Sequence, residues 1–105
     1  MAAERITSRQ NPLVQHLHRI GADRKYRRKS GCFLVEGDKL VGEALRWQGA
    51  PEVLVYTEGT ACPDGLPEGT RVVEVPGALM EHLSTVETPQ HLLALCRTPE
   101  LGLPQ

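Results

Sequence analysis

Four short runs, CFLVE at 32–36, EVLVYT at 52–57, TRVVEV at 70–75 and HLLALC at 91–96, are largely apolar along their length. Each is too brief for a stable helix and is flanked by Gly, Pro or polar residues, so each reads as a buried strand. The segments between them follow a different period. RQNPLVQHLHRIG brings an Asn suited to capping, a Pro suited to a first helical turn, and Leu13, Val14, Leu17 and Ile20 at helical spacing. It predicts a helix near 12–20, with Gly21 as its end or a break. DKLVGEALRWQG predicts a second helix, Asp38 accepting amide hydrogens at its start, Leu40, Val41, Ala44 and Leu45 forming its buried stripe, and Gly49 and Pro51 closing it. PGALMEHLSTV predicts a third, with Leu79, Met80, Leu83 and Val86 inward, while the Gly- and Pro-rich residues 58–69 read as a surface loop. Helices alternating with short apolar strands specify an α/β fold, a three-layer α/β/α sandwich on a mixed or parallel sheet.

A chain of 105 residues is the size of one domain and can bury a core without metal or disulfide staples. The expected division is a folded domain over 1–97 and the start of a linker over 98–105, where two prolines and a glycine interrupt any period. No stretch approaches the roughly 20 apolar residues of a membrane span. The start, MAAERITSRQ, has neither a secretory nor a transit pattern, and a cytoplasmic protein is expected. Cys32, Cys62 and Cys96 are odd in number and widely spaced, which argues for reduced thiols over a disulfide framework or zinc knuckle.

The net charge of −1 conceals a division. Residues 1–30 carry eight cations against two anions, whereas the remaining 75 carry four against eleven. A basic head on an acidic body raises the encounter rate with polyanions while limiting indiscriminate adhesion. Catalysis needs a constellation of groups, and none stands out. The sequence has no GxGxxG, GxxxxGK[ST], GxSxG or HExxH pattern. His16 and His18 are two apart on a helix and so face different ways, His82 sits on an amphipathic helix, and Glu36 and Asp38 are divided by Gly37. No catalytic residue, cofactor-binding residue or metal ligand is assigned.

ITSRQNPLV at 6–14, KYRRKSGCFLVEGDKLVGEAL at 25–45 and ETPQ at 87–90 together resemble the N-terminal substrate-binding domain of the SpoU/TrmH family of RNA 2′-O-ribose methyltransferases. The likeness covers nearly the whole chain. Ser8, Arg9, Asn11 and Pro12 match one family motif, and Lys25, Arg27, Gly31, Phe33, Leu34, Glu36 and Gly37 match a second. The third departs from the pattern, with His91 after Pro89-Gln90 where the family usually has glycine; a left-handed turn there would cost about 1 kcal/mol or more. The resemblance implies a ribosomal-protein-like RNA-binding fold. It also implies a separate C-terminal catalytic domain that binds S-adenosylmethionine, through which the whole protein would be homodimeric. The implied partner is RNA, ribosomal RNA first. The other readings are a free-standing ribosomal or kink-turn-like RNA-binding module and a protein-contact domain.

On this reading the RNA-binding residues are Arg9, Asn11, Arg24, Lys25, Arg27, Arg28 and Lys29, since arginine holds phosphate bidentately and lysine offers a mobile point charge. The competing reading is that the 24–29 cations merely solvate a helix end, where the dipole favours them. Tyr26 stacks on a base or covers that helix end. Glu36 and Gly37 are supporting residues. A carboxylate closing an apolar strand costs several kcal/mol to bury alone, and the partner expected for Glu36 is Arg27 or Lys25.

Overall fold

The apolar runs do pair into one sheet. The computed structural model describes residues 3–48 and 51–98, in the order β1 (Glu4–Arg5), α1 (Pro12–Ala22), α2 (Arg24–Ser30), β2 (Cys32–Glu36), α3 (Asp38–Gln48), β3 (Val53–Thr57), β4 (Arg71–Val75), α4 (Gly77–Leu83) and β5 (Leu92–Arg97). The helix closure expected at Gly49, and residues 99–105 of the linker expected over 98–105, lie outside the described residues.

The sheet runs β1-β4-β3-β5-β2 and is mixed. β1, β4 and β3 are parallel, and β5 is antiparallel to both its neighbours, β3 and β2. Because side chains alternate across a strand, each apolar run supplies both faces. Val53, Val55, Val73, Val75, Leu93 and Leu95 point to one face, where α1 and α4 add Val14, Leu17, Ile20, Leu79, Met80 and Leu83. Leu54, Leu92, Ala94 and Cys96 point to the other, beneath Val41 of α3 and the loop residues Cys62 and Leu66. Thus β3 and β4, adjacent and parallel, are joined by a helix-free loop whose apolar residues help cover the α3 face. Leu17, Ile20, Leu54, Leu83, Leu93 and Leu95 are fully buried, each stabilising the fold by roughly 1.5–3 kcal/mol.

Four details differ from the sequence reading. α1 continues through Gly21 to Ala22, so Gly21 is neither its end nor a break. Leu40 is 51% exposed, because the sheet-facing line of α3 is centred on Val41, Ala44 and Leu45 and places Leu40 about a quarter-turn to the side. Val86 is 45% exposed, because α4 ends at Leu83 and Ser84 is already extended. Asp38 is the first helical residue of α3 and not its cap, since the Val41 amide donates to the Gly37 carbonyl. A carboxylate in the first turn still opposes the positive end of the dipole.

Candidate nucleic-acid interface

The basic segment is a helix of its own, set against α1 by a shared aspartate. The Asp23 amide donates to the Arg19 carbonyl and ends α1, while the Asp23 carboxylate accepts from the Tyr26 amide at 3.1 Å and starts α2. Arg27 closes the corner. Its Nε donates to the Ile20 carbonyl at 2.9 Å and its Nη2 to the Gly21 carbonyl at 3.4 Å, satisfying acceptors that the end of α1 leaves open. Tyr26 packs against the core beneath this corner, its hydroxyl 2.6 Å from His16 Nδ1 and its ring covered by the Arg19 guanidinium at 4.2 Å. Tyr26 therefore covers the helix end and does not offer that face to a base. α2 then ends at Gly31, which is left-handed with φ 68° and whose amide reaches the Arg27 and Arg28 carbonyls.

What remains on the outside of α2 is cationic. Arg24, Lys25, Arg28 and Lys29 are exposed, Arg9 is exposed just before α1, and none of these makes an ion pair among the described residues. The strand arginines behave differently, although Lys39 and Arg46 of α3 also lack an ion pair among the described residues. Arg5 bridges Glu58 and Glu74, Arg71 holds Glu4 through two hydrogen bonds, and Arg97 pairs with Glu52. Those pairs hold the Glu4 carboxyl below the usual range and raise the arginines at 5 and 71, their partners' hydrogen bonds being the main cause. Carboxylates thus neutralise the arginines of β1, β4 and β5 and, among the described residues, leave the α2 cations without counter-ions.

Asn11 contributes differently from the cations. Its side chain accepts from the Leu13 amide at 2.8 Å and caps α1, with Pro12 in the first turn. The structure puts Arg9 at one end of α1 and the α2 cations at the other, separated by a helix of 11 residues and roughly 16 Å.

Glu36 is the one buried charged residue among those described, 8% exposed, and its partner is neither Arg27 nor Lys25. β2 points residues 32, 34 and 36 to the α1 face, and Glu36 meets the chain leaving α4 there. Its Oε2 accepts from Ser84 Oγ at 2.7 Å, and its Oε1 accepts from the amide and hydroxyl of Thr85, each at 2.6 Å. Lys25 and Arg27 are held away by the direction of α2, and Arg27 is occupied by the end of α1. Glu36 therefore clasps the 84–90 loop instead of orienting an arginine.

That clasp shapes the end of the sheet. Thr85 lies over Gly21, where a Cβ would meet Thr85 Cγ2 at 2.7 Å, so α1 has no side chain at the point of closest approach. Gly37, at φ 91°, turns β2 into α3 and faces the Gln90 side chain. His91 takes no left-handed backbone, since no described non-glycine residue does; its Nε2 instead sits 3.2 Å from Asp38 Oδ1. Clefts open on both sides of this junction. One of about 500 Å³ is lined by Thr57, Gly77, Glu81, Pro89, Gln90 and His91, and one of about 470 Å³ by Gly37, Lys39, Leu40, Val86, Thr88 and Gln90. The motifs marked Gly37, residues 87–90 and His91 separately, without showing that they meet on one rim. The exposed Leu40 and Val86, each expected inside, are its signal.

Among the described residues no group of three or more His, Cys, Asp or Glu side chains is placed to hold a metal, and no helix is long and apolar enough to cross a membrane. All three cysteines are free thiols, and burial is the main influence raising each above its ordinary range.

Comparison with known proteins agrees with the motifs. Residues 4–94 match the family model described as the MRM3-like substrate binding domain. A relative from Bacillus subtilis (strain 168), the 23S rRNA (guanosine(2553)-2'-O)-methyltransferase RlmP, is 30% identical over 97 residues, covering 92% of this chain and 39% of the relative. The crystal structure of an RNA 2'-O ribose methyltransferase superposes with a TM-score of 0.79 at 32% identity, over 96% of this chain and 40% of that one. The SpoU methyltransferase AviRb from Streptomyces viridochromogenes, solved in complex with the cofactor AdoMet, shares the fold alone: TM-score 0.71, 21% identity, 87% of this chain and 37% of that one. The chain thus spans about two-fifths of the length of the relatives it matches.

Proposed function

The chain belongs to the MRM3-like substrate-binding domain family, and on that premise we propose that it recognises the RNA substrate of an rRNA 2′-O-ribose methyltransferase that uses S-adenosylmethionine. The observation that carries this reading is the sorting of charge: the arginines of β1, β4 and β5 are paired with carboxylates, whereas Arg9, Arg24, Lys25, Arg28 and Lys29 face solvent without ionic partners among the described residues. A surface kept free of counter-ions is ready to release the condensed cations of a polyphosphate. Arg27 and Asn11 serve it from behind, holding the α1–α2 corner and the start of α1. Glu36 and Gly37 set the loop that rims the end of the sheet.

The residues described here do not fit S-adenosylmethionine. The clefts at the end of the sheet are open, and Glu36, the buried carboxylate beside them, is already engaged by Ser84 and Thr85. In this reading the cofactor and the chemistry belong to a further domain, joined beyond residue 97, through which two copies of the whole protein pair in the cytoplasm. This domain's share of the rate is to hold the ribose within reach of the methyl donor.

The test is equilibrium binding to 23S rRNA fragments over a salt series. With about four to six phosphates neutralised, log affinity falls against log salt with a slope of roughly −3 to −4 on single-stranded segments. Replacing Arg24 and Arg28 together with Gln lowers the magnitude of that slope by about 1.5. A flat salt response, or unchanged affinity in that double variant, refutes RNA recognition by this surface and favours a protein-contact role.

A further inference from the structure

Helices α1 and α4 lie side by side on one face of the sheet, and at their seam two imidazoles are stacked. The His18 and His82 ring centroids are 4.2 Å apart and their planes 9° from parallel. His18 Nδ1 lies 3.2 Å from the His82 carbonyl oxygen, which accepts; the proton therefore sits on Nδ1, and Nε2 is directed away. The stack is thus built and oriented.

The charged groups that act on the His82 ring are of one sign. Burial lowers the His82 pKa from its ordinary 6.5, with His18 and then Arg9 as the further charged groups acting on it; Arg9 is exposed just ahead of α1, the helix that carries His18. Arg9 has no ion-pair partner among the described residues. Of the carboxylates on the packed elements, Glu81, next to His82 in the chain, lines the cleft with Thr57 and Gly77, and Glu36 lies beneath Ser84 and Thr85. Asp23 and Arg27 occupy the far end of α1. A proton added to His82 is disfavoured by the burial of its ring and by the cationic groups acting on it unless an anion is present. With one, each added proton becomes a charge-assisted hydrogen bond.

We propose that Arg9, His18 and His82 form a phosphate site on the α1–α4 seam, occupied by an RNA phosphodiester, with one imidazole taking a proton from solvent as the phosphate binds. This deepens the RNA-binding reading and rests on it. The site lies beyond α2, so it extends the path of the strand along α1 and makes recognition pH-dependent. Free phosphate and an RNA backbone present the same oxygens, and the experiment separates them.

Binding of a fluorescently labelled single-stranded RNA of mixed sequence is measured from about pH 8 to about pH 5.5 at fixed salt, with melting curves confirming that each variant is folded. One linked proton strengthens binding by at most tenfold per pH unit on the acid side. His82→Gln and His18→Gln are expected to flatten that rise, and Arg9→Gln to weaken binding across the range. His82→Lys, permanently charged, is expected to keep the affinity and lose the pH response. In parallel, the imidazole proton resonances are titrated with and without inorganic phosphate, which is expected to raise the His82 midpoint. RNA binding whose pH response is the same in wild type and both Gln variants overturns the site and leaves the RNA reading standing. Absence of RNA binding with a phosphate-raised His82 midpoint overturns the RNA occupant while keeping the anion site, and a midpoint that phosphate does not move overturns both.

Discussion

Gly21→Ala sets helix propensity against the clasp on the 84–90 loop. In an exposed helix this change is stabilising by about 0.8–1 kcal/mol. Here the new Cβ falls 2.7 Å from Thr85 Cγ2 and 3.3 Å from Leu34 Cδ1. Leu34 can yield by a few tenths of an ångström, but Thr85 is fixed by two hydrogen bonds of 2.6 Å to a buried carboxylate. Moving it strains or breaks charge-assisted bonds worth roughly 1.5–3 kcal/mol each. With overpacking costs of about 1–3 kcal/mol, the balance is a net loss of about 1–2 kcal/mol. For a domain this size that is a fall of roughly 4–15 °C in Tm. Thr85→Ser deletes the offending methyl and keeps the hydroxyl that Glu36 binds, so in that background Gly21→Ala is expected to be neutral or stabilising by up to about 1 kcal/mol. Urea denaturation of wild type, both single variants and the double variant closes the cycle. If Gly21→Ala alone raises stability, or Thr85→Ser fails to rescue it, Thr85 is not pinned and the account of the clasp is wrong.

Glu36→Ala leaves the Thr85 amide and two hydroxyls without their acceptor and is expected to cost about 3–5 kcal/mol, against about 1–2 kcal/mol for Glu36→Gln, which still accepts from Thr85; chemical denaturation separates the two. Asn11→Ala removes the α1 cap and lowers stability by about 1 kcal/mol in the same assay, with the salt slope of RNA binding unchanged. Stability should also respond to pH through His82. Its folded pKa is depressed, so the folded state binds fewer protons than the unfolded chain, and stability present above about pH 6.5 declines as pH falls towards the folded value. His82→Gln is expected to shrink that acid-side decline in thermal melts at low salt, which a His82 that titrates normally would not do.

The parts of the fold that were readable are those with a local cause. Asn11-Pro12 announces the start of α1 through groups that act within three residues, and the four apolar runs announce strands because a buried sheet needs both faces apolar. β1 gave no such signal, since two exposed residues at an edge, Glu4 and Arg5, carry no period and are held by Arg71, Glu74 and Glu58 from far along the chain. α2 escaped because it buries no residue, and its limits come from Asp23 and Gly31, not from any apolar stripe. The interface was legible as composition but not as geometry. The cations were visible, yet which of them is turned inward depends on Arg27 reaching back to Ile20 and Gly21, and the partner of Glu36 lies 48 residues away. The stacked histidines are 64 residues apart, which spacing within one helix has no means of revealing.

β5 is the last strand among the described residues and yet sits inside the sheet, between β3 and β2. During synthesis the earlier strands must wait. Until residues 92–97 leave the ribosome, β2 has no neighbour, β3 has one bare side, and the two apolar faces they will share stay wet. Assembly of this sheet is therefore closed by a keystone delivered after its other strands, and any nascent chain halted upstream of it displays β2 unpaired and one side of β3 open, edges of the kind that chaperones and aggregation compete for.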